Sequence, residues 1–124
     1  VAAAYTLDDA EARAARYPDS FQIPNADLRA RVRAGDLVKL LFMGADAAGE
    51  AVTERMWVVV VQVTDAGYQG TLDNDPTRIQ GLSAGTEISF EPRHICGIWI
   101  EGDDAGDDWT KRMRQAPHSF EQAD

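Results

Sequence analysis

Apolar positions follow a helical period up to about residue 35 and a strand-like pattern from there to about residue 100. Leu7, Ala10, Ala14 and Tyr17 share one helical face. Thr6 is placed to cap that helix, with Asp9 three residues later in a variant of the capping box. Tyr17-Pro18 ends it, because a residue before proline avoids α geometry. Phe21-Gln22-Ile23-Pro24 reads as an extended connector, and Asn25 as the cap of a second short helix with Leu28 and Val32 on one face. Gly35 is placed to end this second helix.

Strands are predicted from Leu37 to Met43, Val52 to Thr64, Gln69 to Asp73 (led by Tyr68), Thr86 to Phe90 and His94 to Ile100. The connections are Gly44–Glu50, the turn Asp65-Ala66-Gly67, the long loop Asn74–Gly85 and Glu91-Pro92. From Met56 to Val63 the second strand is apolar on both faces except at Gln62, the pattern of a strand covered on both sides. At ~3.3 Å per residue it would run about 40 Å, so a sharp bend or bulge is expected within it. The expected fold is α+β: a strongly bent antiparallel sheet or partly open barrel of about five strands. One or two N-terminal helices and a short C-terminal helix complete it.

The expected division is one α+β domain over residues 1–100 and an acidic linker with a short helix or tail over 101–124. Glu101 to Asp108 holds five acids in eight residues. Asp107 or Asp108 can cap a helix carrying Trp109 and Met113 on one face. The acidic run does not fit a calcium loop, because the sixth position from Asp103 is Asp108 rather than glycine and the twelfth is Arg114 rather than glutamate. Two histidines 24 residues apart and a single cysteine, Cys96, give no zinc spacing. No metal, cofactor or disulfide is expected.

The formal net charge is −9, with nine acids and seven bases in residues 1–62 against twelve acids and five bases in 63–124. Such a surface repels phosphate backbones, and no apolar stretch approaches the ~20 residues that span a bilayer. Neither nucleic acid nor a membrane is expected as a partner; a basic protein is. The cytoplasm is favoured, and because the chain starts at Val1 rather than Met, as a processed or truncated terminus would, the periplasm and export stay open. The pattern does not fix the oligomeric state.

Three segments together resemble a bacterial family known as domain of unknown function 2314. They are Gly35-Asp36-Leu37-Val38-Lys39-Leu40 with Phe42, then Glu54-Arg55-Met56-Trp57-Val58, then Tyr68-Gln69-Gly70-Thr71-Leu72-Asp73-Asn74-Asp75-Pro76. Gly85-Thr86 and Phe90-Glu91-Pro92-Arg93-His94-Ile95 follow in the same order. The resemblance covers about residues 20–100. It implies a bacterial origin and a compact α+β domain, and it implies no activity.

For chemistry, Glu54 and His94 are the catalytic candidates, as a carboxylate and an imidazole able to act as general acid and base. With Lys39 they would line a polar groove at one end of the sheet. Against this, Glu54 and Arg55 can serve as rim charges paired across strands, for example with Lys39. Cys96 and His94, two apart on one strand, would share a face. Lys39, Arg55, Arg78 and Trp109 are the binding candidates. Thr77, Arg78 and Ile79 would be exposed on the long loop, and Trp57 and Trp99 are expected in the core. The leading functional expectation is a non-enzymatic interaction module, immunity- or inhibitor-like toward a basic partner. The alternatives are a small hydrolase-type enzyme using His94 with a carboxylate, and a barrel whose mouth takes a small ligand.

Overall fold

The computed structural model describes residues 4–99. The expected tail helix and Trp109 lie outside the described residues. Within them the order is β1 (Thr6–Leu7), α1 (Ala10–Arg16), α2 (Ala26–Ala30), β2 (Leu37–Ala45), β3 (Ala51–Thr64), β4 (Gly67–Leu72), β5 (Glu87–Phe90), a one-turn 3₁₀ helix (Pro92–His94) and β6 (Ile95–Trp99). β2 to β5 form an antiparallel meander. β6 returns to pair with β2 over Leu37–Leu40, and β1 pairs with the same edge of β2 at Phe42 and Met43. Only one 3₁₀ turn joins β5 to β6, which lie toward opposite edges of the sheet, so the sheet has to curl until those edges approach. The result is a half-barrel, in line with the expected α+β class.

The concave face is the core: Val38, Leu40 and Phe42 of β2, Met56, Val58 and Val60 of β3, Tyr68 and Leu72 of β4, Ile88 and Phe90 of β5, and Ile95 and Ile98 of β6. Val32, after α2, and Ile79, from the long loop, also belong to it. A smaller cluster on the convex face sets Leu41 against Ala10 and Phe21.

β3 contains the expected irregularity, a register shift between Val60 and Gln62. Its double coverage ends there. β2 begins opposite Val59, so β3 continues beyond it paired with β4 alone, as the outer strand of a β3–β4–β5 ribbon in which β4 stays paired with β5 as far as Tyr68. Val61 and Val63 are consequently 57% and 54% exposed, contrary to the expectation of a strand buried on both faces throughout.

Three other expectations are corrected. Asp9, not Thr6, caps α1, accepting from the Ala12 N–H at 2.9 Å, because Thr6 and Leu7 are drawn into pairing with the β2 edge left free by β6. Asn25 does cap α2, accepting from the Leu28 N–H at 2.9 Å, but the helix ends at Ala30 and Gly35 serves the turn before β2 at φ 98°. Trp57 and Trp99 are half-buried on the convex face rather than in the core. Their strands place Met56, Val58 and Ile98 inward, and alternation turns the tryptophans out.

Candidate functional site

The residues of the family-like segments are mostly held by the fold. Glu54 lies opposite Phe42 near the start of β3, and its carboxylate accepts three consecutive backbone N–H groups, from Thr77 at 2.9 Å and from Arg78 and Ile79 at 2.7 Å each. Burial alone would raise its pKa; the three N–H groups and the Arg78 charge outweigh that and lower it. Glu54 thereby fixes the long loop across one end of the barrel and drives Ile79, 3% exposed, into the core. The expected exposed stretch from Thr77 to Ile79 is therefore anchored, and of its apolar and basic side chains only Arg78 stays at the surface, 3.9 Å from Asp46.

The loop is held at further points. Asn74 Oδ1 accepts from the Trp57 N–H at 2.6 Å, Asp75 Oδ1 accepts from the Ala84 N–H at 3.1 Å, and the Gln80 N–H donates to the Ala45 carbonyl at 2.9 Å. Gly70 faces the bulge of β3, where no side chain fits.

Lys39 and Arg55 sit on the convex face. Lys39, 3% exposed, is opposite Trp57 with its Nζ 5.5 Å from the ring centroid. Arg55 is exposed, and its guanidinium lies 5.5 Å from the Phe21 ring, which also carries Arg13 at 5.5 Å. Lys39 thus turns to the convex face while Glu54 grips the loop, so the two do not form the expected cross-strand pair.

His94 lies in the 3₁₀ turn rather than on a strand, and is buried. Its Nδ1 accepts from the Glu91 N–H at 3.0 Å, which places the ring proton on Nε2. The charges bearing on it are Arg93, Glu91, Asp9 and Asp8; Glu54 is not among them. Burial, then Arg93, lower the His94 pKa. NMR titration of His94 is expected to give a midpoint below the ordinary value of 6.5, with the neutral ring as the Nε2–H tautomer. Because the folded value is depressed, His94 contributes stability above pH 6.5, and this is lost as pH falls through the folded value. Cys96 falls on the convex side against Phe21 and Leu41, and burial pushes its thiol up to about 11, leaving it a poor nucleophile. The structure brings together neither Cys96 with His94 nor Glu54 with His94.

Arg29 carried no signal in the sequence beyond lying on α2. It is 5% exposed, and its Nε donates to the Pro24 carbonyl at 2.7 Å. Nη1 donates to Glu11 and, at 3.2 Å, to the Pro92 carbonyl, while the Arg29 carbonyl accepts from the Tyr68 hydroxyl at 2.7 Å. Arg29 thus ties α1, α2, β4 and the 3₁₀ turn together. An arginine at one helical position does not announce partners 63 residues away.

The remaining concavity of interest lies beside the projecting ribbon. A cleft of about 300 Å³ is bounded by Thr64 and Ala66 at the ribbon end, Tyr68 and Gln69 of β4, Ser89 and Phe90 of β5, and Glu91 and His94. Val63 stands directly opposite Tyr68 and so shares its face. Val63 thus precedes Thr64 of the cleft wall, and the exposed carboxylates of Asp65 and Glu91 lie at the same end. Among the described residues, no group of three or more His, Cys, Asp or Glu side chains is placed to hold a metal ion, and no helix is long and apolar enough to cross a membrane.

These features define a small α+β half-barrel domain whose long loop is latched by a strand carboxylate. The chain belongs to the family of uncharacterized proteins conserved in bacteria, DUF2314, whose sequence model matches residues 15–107. No curated protein and no solved structure matches the chain.

Proposed function

We propose that this domain is a protein-interaction module that takes a basic partner on the ribbon end of β3 and β4 and the cleft beside it. The carrying observation is the exposure of Val61 and Val63 on a ribbon that projects past β2. Exposed β-branched side chains on a protruding sheet end are a liability to a solitary protein and a contact for a bound one. Asp65 and Glu91 flank the cleft, and a net charge of −9 speeds encounter with a cationic protein. The commitment of Glu54 to the loop and the raised thiol pKa of Cys96 favour this reading over a hydrolytic one.

The test is capture on the immobilised full chain from a lysate of the source bacterium, at about 0.05 M and about 0.5 M salt. A basic protein is expected to be retained at low salt and released at high salt. It should be lost from Val63→Lys, while that variant keeps wild-type thermal unfolding. Equal retention by Val63→Lys would remove the surface from the proposal, and no basic protein at low salt would remove the function.

A further inference from the structure

β5 ends the sheet on its side and pairs with β4 alone among the described residues. The ladder decides which of its peptide groups face outward. The Leu72 N–H donates to the Thr86 carbonyl at 2.9 Å, so Leu72 of β4 turns its peptide groups toward β5. Hydrogen-bonded pairs alternate along an antiparallel ladder. The next ones are Gly70 with Ile88 and Tyr68 with Phe90, and the N–H and C=O groups of Glu87 and Ser89 point away from β4. The other side of β4 agrees. The Asp73 N–H donates to the Trp57 carbonyl at 2.8 Å, so the alternate set, Thr71 and Gln69, serves β3. No turn, loop or helix backbone bond reaches Glu87 or Ser89 among the described residues, and both residues are exposed.

We propose that β5 takes an extended basic segment of the partner as an added strand. This rests on the basic-partner reading and names how that partner binds. Four outward peptide groups supply the main-chain bonds by which an extended segment joins a sheet edge. The side chains select what joins. Glu91 keeps extended geometry, at φ −123° and ψ 165°, so alternation sets Glu87, Ser89 and Glu91 on one face. Glu91 also accepts from Arg93 Nε at 3.2 Å, which leaves Glu87 as the main charge. Lysine or arginine on the added strand meets these carboxylates as cross-strand pairs.

A second copy does not fit the same edge. Every two-fold pairing of β5 with itself through these groups sets Glu87 opposite or diagonal to a carboxylate of the other copy, and each copy carries −9. The cleft bounded in part by Ser89, Phe90, Glu91 and His94 lies at the end of the edge, where it receives a side chain of the segment.

The test uses the full chain and a capped peptide of alternating lysine and valine, about eight residues long. Opposed residues share a face, so the lysines that meet Glu87 are also those whose N–H groups face β5. Methylating the lysine peptide nitrogens therefore blocks the added ladder and keeps the charge. By NMR at about 0.05 M salt, the Glu87 and Ser89 amides are expected to exchange quickly in the free chain and slowly with the plain peptide. Those of Ile88 and Phe90 should be slow in both. The methylated peptide should bind wild type about tenfold more weakly, as should the plain peptide Ser89→Pro, with Ser89→Ala within about twofold of wild type. Proline fits an edge strand where the missing N–H faces solvent, so Ser89→Pro should unfold at close to the wild-type temperature. Whether or not it does, the methylated peptide on wild type decides. Slow exchange at Glu87 and Ser89 in the free chain, equal binding of the methylated peptide, or no binding of the plain one would overturn the proposal. A folded Ser89→Pro that captures a basic protein from lysate as well as wild type does would overturn strand addition and leave the basic-partner reading standing. Capture of no basic protein by wild type would remove both.

Discussion

Gly70→Ala is expected to lower the free energy of unfolding by about 3 kcal/mol, the upper range for forcing atoms into a packed interior. A Cβ at Gly70 would stand 2.3 Å from the Val59 carbonyl oxygen, 2.7 Å from Val58 Cγ1 and 3.1 Å from the Val59 carbonyl carbon. Two of these neighbours are backbone atoms of the strand next door, held by the β2 and β4 ladders on either side. They cannot swing away as a side-chain tip could. The cause is the β3 bulge between Val60 and Gln62, which brings the two backbones close where Gly70 pairs with Val60. Backbone conformation is not the issue at this glycine, since it is not among those with positive φ.

Gly85 supplies the control. It has φ 93° and no atom within 4 Å of the point where an alanine methyl would stand, so Gly85→Ala meets conformational strain alone, at about 1–2 kcal/mol. Urea unfolding of the two variants beside wild type checks the contrast. Gly70→Ala should shift the midpoint more at an unchanged slope. A cost below that of Gly85→Ala would mean the strands separate easily at the bulge, and the close-packed account of this strand pair would fail.

The fold was legible because its signals are local and repeat. The Asn25 cap and the strand alternation of β2 and β4 each act within a few residues. The long apolar run of β3 pointed to its own bulge, because a strand of that length cannot stay straight in so small a domain. The same run concealed where its coverage stops. Val61 and Val63 look like core in sequence, and only the starting point of β2, opposite Val59, leaves them outside. Likewise Trp57 and Trp99 are apolar enough for the core, but the strand phase set by Val58 and Ile98 turns them to the convex face.

The site was less legible for a related reason. Glu54 was visible as a charged residue heading an apolar strand. Its partners, the N–H groups of residues 77–79, belong to backbone and leave no mark on side-chain pattern. His94 looked like a strand residue because Arg93-His-Ile continues into apolar sequence. Pro92 instead starts a 3₁₀ turn, which rotates the imidazole back onto the Glu91 N–H. The residues most readily read as chemistry are therefore those whose partners are backbone groups.

Glu54→Ala is expected to cost about 2–3 kcal/mol. A hydrogen bond to a charged acceptor contributes about 1.5–3 kcal/mol, and three converge on Glu54, but two are solvent-exposed and recover much of their loss from water. The third, from the Ile79 N–H, is partly buried beside a side chain that fills the core, so loosening the loop withdraws Ile79 as well. The local effect should be larger than the global one. Amide hydrogen exchange at residues 77–79 should rise well above that of β3 and β4, because the loop loses its latch while the sheet keeps its ladders. Acid separates the charge from the contact. The folded pKa of Glu54 is lowered, so on acidification the unfolded chain takes up the proton first, near the ordinary value of 4.5. The carboxylate's contribution is present above that pH and disappears as pH falls through the folded value. Glu54→Gln keeps a side chain of the same shape and has no such proton. The stability gap between wild type and Glu54→Gln should therefore be full near neutrality and close as pH drops below 4.5. A gap that stays constant into strong acid would show that the loop is held by shape rather than by the carboxylate charge.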